Sequence, residues 1–355
     1  MTKFSPSKFF QVAAISLLAL VSIFVPAGCG ESAPEAKTAA ETAPDTATAP
    51  YHRRQVDFYK GIAEPTPTDW DGMVRESDRL LDDGFNAVTL SPPIDITARL
   101  GGKPRIILEG QAASAEALTD DFHEKGLAVH ISPTTKAAGL SQEVEPTDGT
   151  LEHLREDVVR WAQKAEERQA ELFSPLSEYN LVLGTEAADR WSREVLPLIR
   201  ERYHGPVAAK VAADLAEPPA AGNPHDFESL NYRGYDFLMV DIFPRDGSFD
   251  AAAFDLYVTD VLVRAAAVAQ RDGLKGIMVG EFGAWREPAG LDAVAGPVLG
   301  EVGQAEMAGR FLAIAMPRTR GVFFQGWTLP GRGARDQPVE EVLKKNFNPG
   351  RAANQ

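Results

Sequence analysis

The chain has 355 residues, of which 44% are hydrophobic and 25% charged, and these proportions exclude a wholly disordered chain and a membrane protein with several spans. Its 36 basic and 51 acidic residues give a net charge of −15, which argues against nucleic-acid binding because that function needs a basic surface. The single cysteine excludes an internal disulfide and a cysteine-rich zinc site, and we expect neither a metal nor a cofactor.

Residues 1–28 have the layout of a signal peptide. Two lysines precede an apolar run over residues 9–25, and small residues then lead to Cys29. This ending resembles the lipobox of bacterial lipoproteins, and the resemblance implies that Cys29 is lipidated and becomes the mature N-terminus. The alternatives are a secretory signal with an incidental cysteine and a retained membrane anchor, for which the apolar run is close to the lower length limit. We expect an exported lipoprotein, anchored to a membrane through Cys29 and facing the periplasm or the cell surface.

The rest of the chain divides into a linker, a folded segment and a tail. Residues 29–50 are rich in Ala, Thr, Pro and Glu and contain no large apolar residue, so they are predicted to form a disordered tether. The folded segment covers residues 51–335, and residues 336–355 are interpreted as a polar C-terminal tail. No internal repeat is evident.

The segment 51–335 alternates short apolar runs with longer amphipathic segments. The short runs predict eight strands, over residues 56–64, 86–91, 127–132, 170–178, 207–212, 236–243, 276–281 and 321–327. The longer segments predict helices over residues 70–83, 114–124, 151–169, 187–203, 251–270 and 302–316. Near-continuous hydrophobic strands separated mostly by helices are typical of a parallel sheet covered on both faces. The pattern predicts a single (β/α)8 TIM barrel. A doubly wound open sheet is the alternative, but the early strands lack its glycine-rich phosphate turn.

In a barrel of this kind the active site lies at the carboxyl ends of the strands. The predicted strands carry the following side chains at or near these ends: Glu64, Ser91, His130, Glu178, Lys210, Asp241, Glu281 and Trp327. Carboxylates with aromatic side chains nearby suit carbohydrate chemistry, which uses two carboxyl groups and a flat apolar surface for the sugar ring. Metal-dependent hydrolysis would require clustered histidines, which the pattern does not offer.

Four short segments carry a resemblance to a known family. Residues 172–178 (LFSPLSE) and 277–283 (IMVGEFG) resemble the fourth and seventh strands of a clan of retaining (β/α)8 glycoside hydrolases, which contains cellulases, β-mannanases and β-galactanases. Residues 237–241 resemble the sixth strand of the endo-β-mannanase-like members. The resemblance implies that Glu178 is the acid/base and Glu281 the nucleophile, and that the substrate is a β-linked polysaccharide or oligosaccharide hydrolysed with retention.

Other residues near the strand ends are candidate substrate contacts. The resemblance of residues 321–327 to the clan's eighth strand implies that Trp327 forms the floor of a sugar subsite. The complete set of candidates is His130, Ser177, Asn180, Asp241, Trp285 and Trp327. Each has a structural alternative, namely a hydrogen-bonded histidine, a paired buried aspartate or a core tryptophan. Glu186 is an alternative acid, although its place before a predicted helix favours interaction with the helix dipole.

Two departures from the clan's pattern leave a second function open. Ser177 stands where the clan usually has an Asn that binds the sugar 2-hydroxyl, and Phe243 lies where it often has a Tyr bonded to the nucleophile. The alternative to an enzyme is therefore a non-catalytic glycan-binding lipoprotein that keeps the barrel. A purely structural surface protein is disfavoured by the carboxylates at the strand ends. The sequence leaves the sugar, the linkage, endo or exo action and the oligomeric state open.

Overall fold

The computed structural model describes residues 51–64, 70–94, 106–135, 145–213, 226–243, 249–286 and 298–352. The predicted signal peptide (1–28), Cys29 and the linker (29–50) lie outside the described residues. The strands are β1 Tyr59–Glu64, β2 Ala87–Leu90, β3 Ala128–Ile131, β4 Leu172–Phe173, β5 Ala208–Ala212, β6 Phe237–Ile242, β7 Ile277–Phe282 and β8 Gly321–Gln325. The α-helices are α1 Trp70–Arg75, α2 Ser77–Asp82, α3 Ile106–Lys125, α4 Asp148–Glu167, α5 Tyr179–Leu183, α6 Thr185–Arg200, α7 Ala251–Asp272, α8 Gly300–Ala315, α9 Pro338–Phe347 and α10 Pro349–Ala352. None of the helices in this part of the chain is both long and apolar enough to cross a bilayer.

The eight strands found among the described residues form one parallel sheet, in the order β4-β3-β2-β1-β8-β7-β6-β5. The first and last strands of this order meet through a parallel bridge between Phe173 and Val207. There the amide of Phe173 donates to the carbonyl of Pro206 at 3.1 Å. The sheet therefore closes on itself, and the predicted (β/α)8 barrel is confirmed. A doubly wound sheet is excluded because its strand order would reverse at a switch point.

Two elements differ from their predicted extent. The run 170–178 contributes only Leu172–Phe173 to the sheet, because Pro175 has no amide proton for a ladder and Glu178 turns the chain with a φ of 52°. The predicted helix over residues 70–83 is two helices, α1 and α2, which meet at Glu76, where φ is −103° and ψ is 12°.

Side chains on the strands alternate between the barrel interior and the surrounding helices, as the period of two requires. The interior core is formed by Tyr59, Ala63, Ala87, Ala128, Leu172, Ala208, Met239, Met278 and Phe323. Gly61 makes this packing possible, because a Cβ there would lie 2.0 Å from the Phe323 ring. Two residues further along five of these strands lie Thr89, His130, Lys210, Asp241 and Gln325, all of them buried. The interior therefore becomes polar towards the carboxyl ends, which we call the mouth.

The first described residues cover the opposite, amino end of the barrel. We call residues 51–58 the N-terminal strap. The hydroxyl of Tyr51 donates to Glu171, which directly precedes β4. Arg53 donates to the carbonyl of Ala170 at 2.6 Å. The strap is therefore attached to the turn before β4, at the amino ends of the strands.

The chain after β8 continues into a helix that belongs to the folded domain. Val339, Leu343 and Phe347 of α9 recur every four residues and are all buried. Lys60 of β1 donates to the carbonyl of Phe347 at 2.7 Å. The interpretation of residues 336–355 as a polar tail is therefore wrong for α9, because its three apolar side chains form one helical face among polar neighbours.

Candidate active site

Glu281 lies near the carboxyl end of β7, where the strand carries a β-bulge. Between Val279 and Phe282 the strand contains one residue more than either neighbouring strand. An extra residue of this kind interrupts the alternation of side chains and can redirect one of them. Gly280 faces the interior, and so does Glu281, which contacts the interior side chain of Lys210. Strict alternation would have directed Glu281 towards the helices.

Lys210 of β5 brings three functional groups together at the mouth. Its Nζ donates to Glu281 Oε1 at 2.5 Å and to Ser177 Oγ at 2.8 Å, and it lies 3.0 Å from Asp241 Oδ2. An ammonium group has three N–H donors, and it meets one oxygen on each of three side chains here. Lys210 is fully buried. We call Lys210, Ser177, Asp241 and Glu281 the lysine cluster.

Lys210 is charged in this cluster. Burial alone would lower the pKa of Lys210, but the charges of Asp241, Glu281 and Glu178 outweigh burial and raise the pKa above its ordinary value. Lys210 is therefore an ammonium at neutral pH, and it provides a counter-charge for the buried carboxylates that it contacts. A lysine that forms a Schiff base needs a lowered pKa. Lys210 is accordingly a charge partner and not a nucleophile.

Glu178, the second candidate carboxylate, follows the fourth strand in an unusual backbone conformation. It directly precedes α5 with φ 52° and ψ 41°, which is the left-handed region. For a residue other than glycine this conformation costs about 1–2 kcal/mol. The preceding residue is fixed by a hydrogen bond from the Ser177 amide to the carbonyl of Pro133 at 2.8 Å. The Glu178 side chain is buried, and its charge acts on Lys210. Such strain concentrates at functional sites, and here it accompanies a carboxylate at the mouth.

Glu281 receives a second hydrogen bond from β8. Gln325 donates from Nε2 to Glu281 Oε2 at 2.9 Å, and its Oε1 accepts a hydrogen bond from Arg332 at 2.6 Å. Both oxygens of Glu281 are thus held by donors. Neither Gln325 nor Arg332 was among the sequence candidates. The alternation of β8 could have identified Gln325, because it lies two residues beyond the interior residue Phe323.

Trp285 follows β7 and lies beside this network. The guanidinium carbon of Arg332 is 3.5 Å from the centre of the Trp285 ring, so one face of the predicted sugar platform is covered. Among the described residues, neither the indole Nε1 of Trp285 nor the hydroxyl of Ser132 beyond β3 has a hydrogen-bond partner, although both are buried. Buried donors without a partner are uncommon. Their position just beyond two strands at the mouth fits a ligand that carries hydroxyl groups.

His130 lies inside the barrel and not at its rim. Its Nδ1 is 3.1 Å from the hydroxyl of Thr89 and its Nε2 is 2.9 Å from the hydroxyl of Ser174. Burial, and secondly the positive charge of Lys210, lower the pKa of His130 well below its ordinary value. The imidazole is therefore neutral and supports the site from within. No group of three or more His, Cys, Asp or Glu side chains in the described ranges is arranged to hold a metal ion.

Two of the predicted substrate contacts have structural hydrogen-bond partners within the protein. Trp327 is fully buried and donates from Nε1 to Glu76 at 2.8 Å, because β8 ends at Gln325 and the chain then turns away. Asn180 pairs through its amide with both the amide and the carbonyl of Ala212, each at 2.9 Å. It therefore ties α5 to β5. By contrast, Ser177 and Asp241 lie directly in the lysine cluster.

Comparison with known proteins identifies the fold. No protein-family model and no curated protein matches the sequence. The GH113 β-mannanase from Alicyclobacillus acidocaldarius, solved with ManMIm, has a TM-score of 0.58 and 19% identity and covers 83% of this chain and 98% of its own. A GH5_18 variant from Bifidobacterium longum subsp. longum, solved with Manβ1-4GlcNAc, has a TM-score of 0.60 and 12% identity, over 84% of this chain and 79% of its own. A β-glucuronidase from an uncultured Clostridium has a TM-score of 0.57 and 14% identity, over 83% and 50%.

The chain has the same barrel fold as these three glycosidases. The similarity extends over more than four fifths of the chain in each of these structures. The fold that the sequence resemblance implies is therefore confirmed. Because one barrel supports many chemistries, the activity has to be argued from the side chains at the mouth.

Proposed function

We propose that this protein is a retaining glycoside hydrolase that acts on β-linked glycans, with Glu281 as nucleophile and Glu178 as acid/base. The observation that carries the proposal is that Glu281 contacts Lys210, while Glu178 is buried at the same mouth and its charge raises the pKa of Lys210. Retaining glycosidases use two carboxyl groups about 5–5.5 Å apart at one site. Glu281, held at both oxygens by Lys210 and Gln325, has the fixed orientation that a nucleophile needs.

Each carboxyl group has a defined task in this mechanism. Glu281 attacks the anomeric carbon while Glu178 donates a proton to the departing glycosidic oxygen, and a covalent glycosyl–enzyme forms. Glu178 then removes a proton from water, which attacks the same carbon and releases Glu281. In this second step the carboxylate of Glu281 is the leaving group, and the ammonium of Lys210 stabilises its negative charge. Lys210 is already in contact with Glu281, so it does not have to move for this interaction to form.

The proposed substrate class is a β-linked glycan that contains mannose. Two of the structural relatives support this class, since one is a β-mannanase and the other was solved with Manβ1-4GlcNAc. The unpartnered donors of Ser132 and Trp285 are compatible with a polyhydroxylated ligand. We further propose, from the signal sequence alone, that the enzyme is an exported lipoprotein anchored through Cys29. Metabolic labelling with a radioactive fatty acid, with Cys29→Ala as control, tests the anchor.

The second candidate function is glycan binding without turnover. The observation that favours it is Ser177, whose hydroxyl accepts a hydrogen bond from Lys210 and offers one donor where the clan has an amide. Such a protein would bind β-mannan and leave it intact. The two functions predict opposite results in one assay, because only the enzyme releases reducing sugar.

The test is hydrolysis of aryl β-mannosides and of β-1,4-mannan by the full-length protein. We expect product with retained configuration, measured by NMR of the anomeric proton in the first turnovers. Glu281→Gln is expected to abolish turnover, and Glu178→Gln to abolish it except on substrates whose leaving group needs no proton. Glu186→Gln is the matched control, because Glu186 lies in the first turn of α6, and it is expected to keep full activity. Binding of β-mannan with no product from the wild-type protein would favour the second candidate.

A further inference from the structure

The outward face of helix α7 is apolar, unlike the outward faces of α4 and α6. The exposed residues of α4 and α6, apart from Gly149 and Pro197, are all polar or charged, as is usual for helices that cover a barrel. The exposed residues of α7 include six apolar ones, namely Ala252, Ala253, Leu256, Val263, Ala266 and Ala267. Leu256 is 73% exposed and Val263 is 58% exposed. Exposed apolar residues that lie together indicate an interaction surface.

Four of these residues form a narrow stripe along α7, and the stripe is symmetric. With 3.6 residues per turn, Ala252, Leu256, Val263 and Ala267 lie within about 60° of one another around the helix axis. Leu256 and Val263 are equally far along the chain from a midpoint between residues 259 and 260, and the same is true of Ala252 and Ala267. We call these four residues the α7 stripe. Its order of small, large, large and small side chains is therefore the same in both directions.

A stripe with this symmetry fits a second copy of the same helix that runs in the opposite direction. In a dimer with a two-fold axis, one surface patch contacts its own equivalent on the other copy. With the axis at the midpoint of the α7 stripe, Leu256 of each copy faces Val263 of the other. Ala252 of each copy then lies level with Ala267 of the other, and these small side chains allow the two helices to approach closely.

The charged residues that border the α7 stripe are compatible with this contact. Asp260 lies beside the midpoint, and its Oδ2 is 2.9 Å from Nε of Arg264, which also contacts Glu228 at 2.5 Å. On the opposite border, Oδ2 of Asp255 is 2.9 Å from Nη1 of Arg310 on α8. Both aspartates therefore have a counter-charge within their own chain, and neither has to be desolvated as an isolated ion.

Other occupants suit the α7 stripe less well than a second copy does. A glycan would require an aromatic platform, whereas the stripe consists of aliphatic side chains. An anionic membrane would require basic residues beside the apolar face, whereas acidic residues outnumber basic ones in this chain by 51 to 36. An unrelated protein would not require the symmetry of the stripe.

We propose that the α7 stripe is the interface of a homodimer, in which two copies of α7 pack antiparallel about a two-fold axis between residues 259 and 260. Because α7 connects the carboxyl end of β6 to the amino end of β7, the antiparallel contact directs the mouths of the two barrels in opposite directions. A single pair of helices buries less than the about 1,600 Å² of a standard interface, so the dimer is weak and forms at micromolar concentrations. This inference does not depend on the proposed function.

The first experiment measures the mass of the full-length protein by analytical ultracentrifugation between about 1 and 100 µM. We expect the average mass to rise from that of one chain towards that of two. Leu256→Glu and Val263→Lys each place a charge against an apolar side chain, so each should weaken the dimer by about 10-fold or more. Val302→Glu is the matched control, because Val302 is 78% exposed on the neighbouring helix α8 and lies outside the stripe. This control should dimerise like the wild-type protein.

The second experiment tests the antiparallel arrangement by mixing the two weakened variants. In the proposed dimer, the new carboxylate of Leu256→Glu faces the new ammonium of Val263→Lys, and the unchanged Val263 and Leu256 still meet. An equimolar mixture should therefore dimerise at concentrations at which each variant alone is monomeric. In a parallel pair, the same mixture would place each new charge against an apolar residue and would not recover the dimer. Circular dichroism checks that both variants are folded.

Three results would overturn the proposal. A wild-type protein that is still monomeric at about 100 µM would leave the stripe to a different partner. Association that neither substitution weakens would come from another part of the chain, such as the apolar run over residues 9–25. Loss of the dimer in both variants with no recovery in the mixture would refute the antiparallel contact. Since every readout is a mass, these results are independent of whether the protein hydrolyses a glycan.

Discussion

Gly280 is the position where a single methyl group should disturb the site most. It lies on β7 directly before Glu281, and its φ is outside the left-handed region, so alanine fits the backbone. A Cβ there would lie 2.4 Å from Asp241 Oδ1 and 2.9 Å from Lys210 Cε. Neither atom can move away freely, because Lys210 and Asp241 are joined to each other at 3.0 Å. We therefore expect Gly280→Ala to separate the ion pair.

The expected loss of stability follows from two costs. Overpacking a dense interior costs about 1–3 kcal/mol, and breaking a buried ion pair costs about 3–5 kcal/mol. The second cost applies in full only when one ion is removed, whereas Gly280→Ala keeps both ions and displaces them. We therefore add about 1 kcal/mol of it to the overpacking cost, and we expect the free energy of unfolding to fall by about 2–4 kcal/mol. With a urea dependence of about 3 kcal/mol per molar, the unfolding midpoint should fall by about 1 M.

Urea unfolding followed by circular dichroism measures this shift, and the same preparations are assayed for turnover below the transition. Gly149→Ala is the matched control, because Gly149 lies in the first turn of α4 and the nearest atom to an added Cβ is 4.0 Å away. This control should gain up to about 1 kcal/mol from its helical position. If Gly280→Ala left both the midpoint and the turnover unchanged, the described contacts of Asp241 and Lys210 with β7 would be refuted.

Three other predictions concern stability. His130 has a folded-state pKa below the value of about 6.5 in an unfolded chain, so protonation favours unfolding, and stability should fall by up to about 1.4 kcal/mol per pH unit as pH drops below about 6.5. His130→Asn should flatten this slope in urea titrations between pH 5 and 7, and an unaltered slope would contradict the neutral imidazole. Trp327→Phe should lower the free energy of unfolding by about 1–3 kcal/mol, because the hydrogen bond to Glu76 is lost, and should leave KM unchanged. A raised KM would indicate that Trp327 contacts the substrate. Truncation before α9 removes three buried apolar side chains, each contributing about 1.5–3 kcal/mol to stability, and should largely unfold the domain. If circular dichroism showed that the truncated protein is folded, α9 would not be required for the fold.

The barrel was predictable because its signal is spread over many residues. Each strand contributes a short apolar run, and eight such runs in alternation with helices leave few other topologies. The exceptions were local. The fourth run was too long because Pro175 and the turn at Glu178 end the sheet early. The helix α9 was missed because its apolar face is a single row of three residues among charged neighbours.

The site was harder to predict because it depends on side chains that no single segment contains. Glu178 and Glu281 could be selected because they end predicted strands. The β-bulge that turns Glu281 inward could not be predicted, because Gly280 is its only indication in the sequence. Lys210 was noted at a strand end but given no role, since its partners come from three other parts of the chain. The predicted eighth strand ended at residue 327, whereas β8 ends at Gln325. Trp327 therefore lies beyond the strand, and its side chain is in the core and not at the mouth.

The strap and α9 also decide where anything can be attached to this barrel. Tyr51 is bonded to Glu171 before β4, and Asn348, just after α9, donates to the carbonyl of Asp82 before β2. Both ends of the folded chain therefore lie at the amino ends of the strands, opposite the carboxylates. An affinity tag or a solid support joined at Tyr51 or after Asn348 would therefore be attached on the side of the barrel that faces away from Glu178 and Glu281.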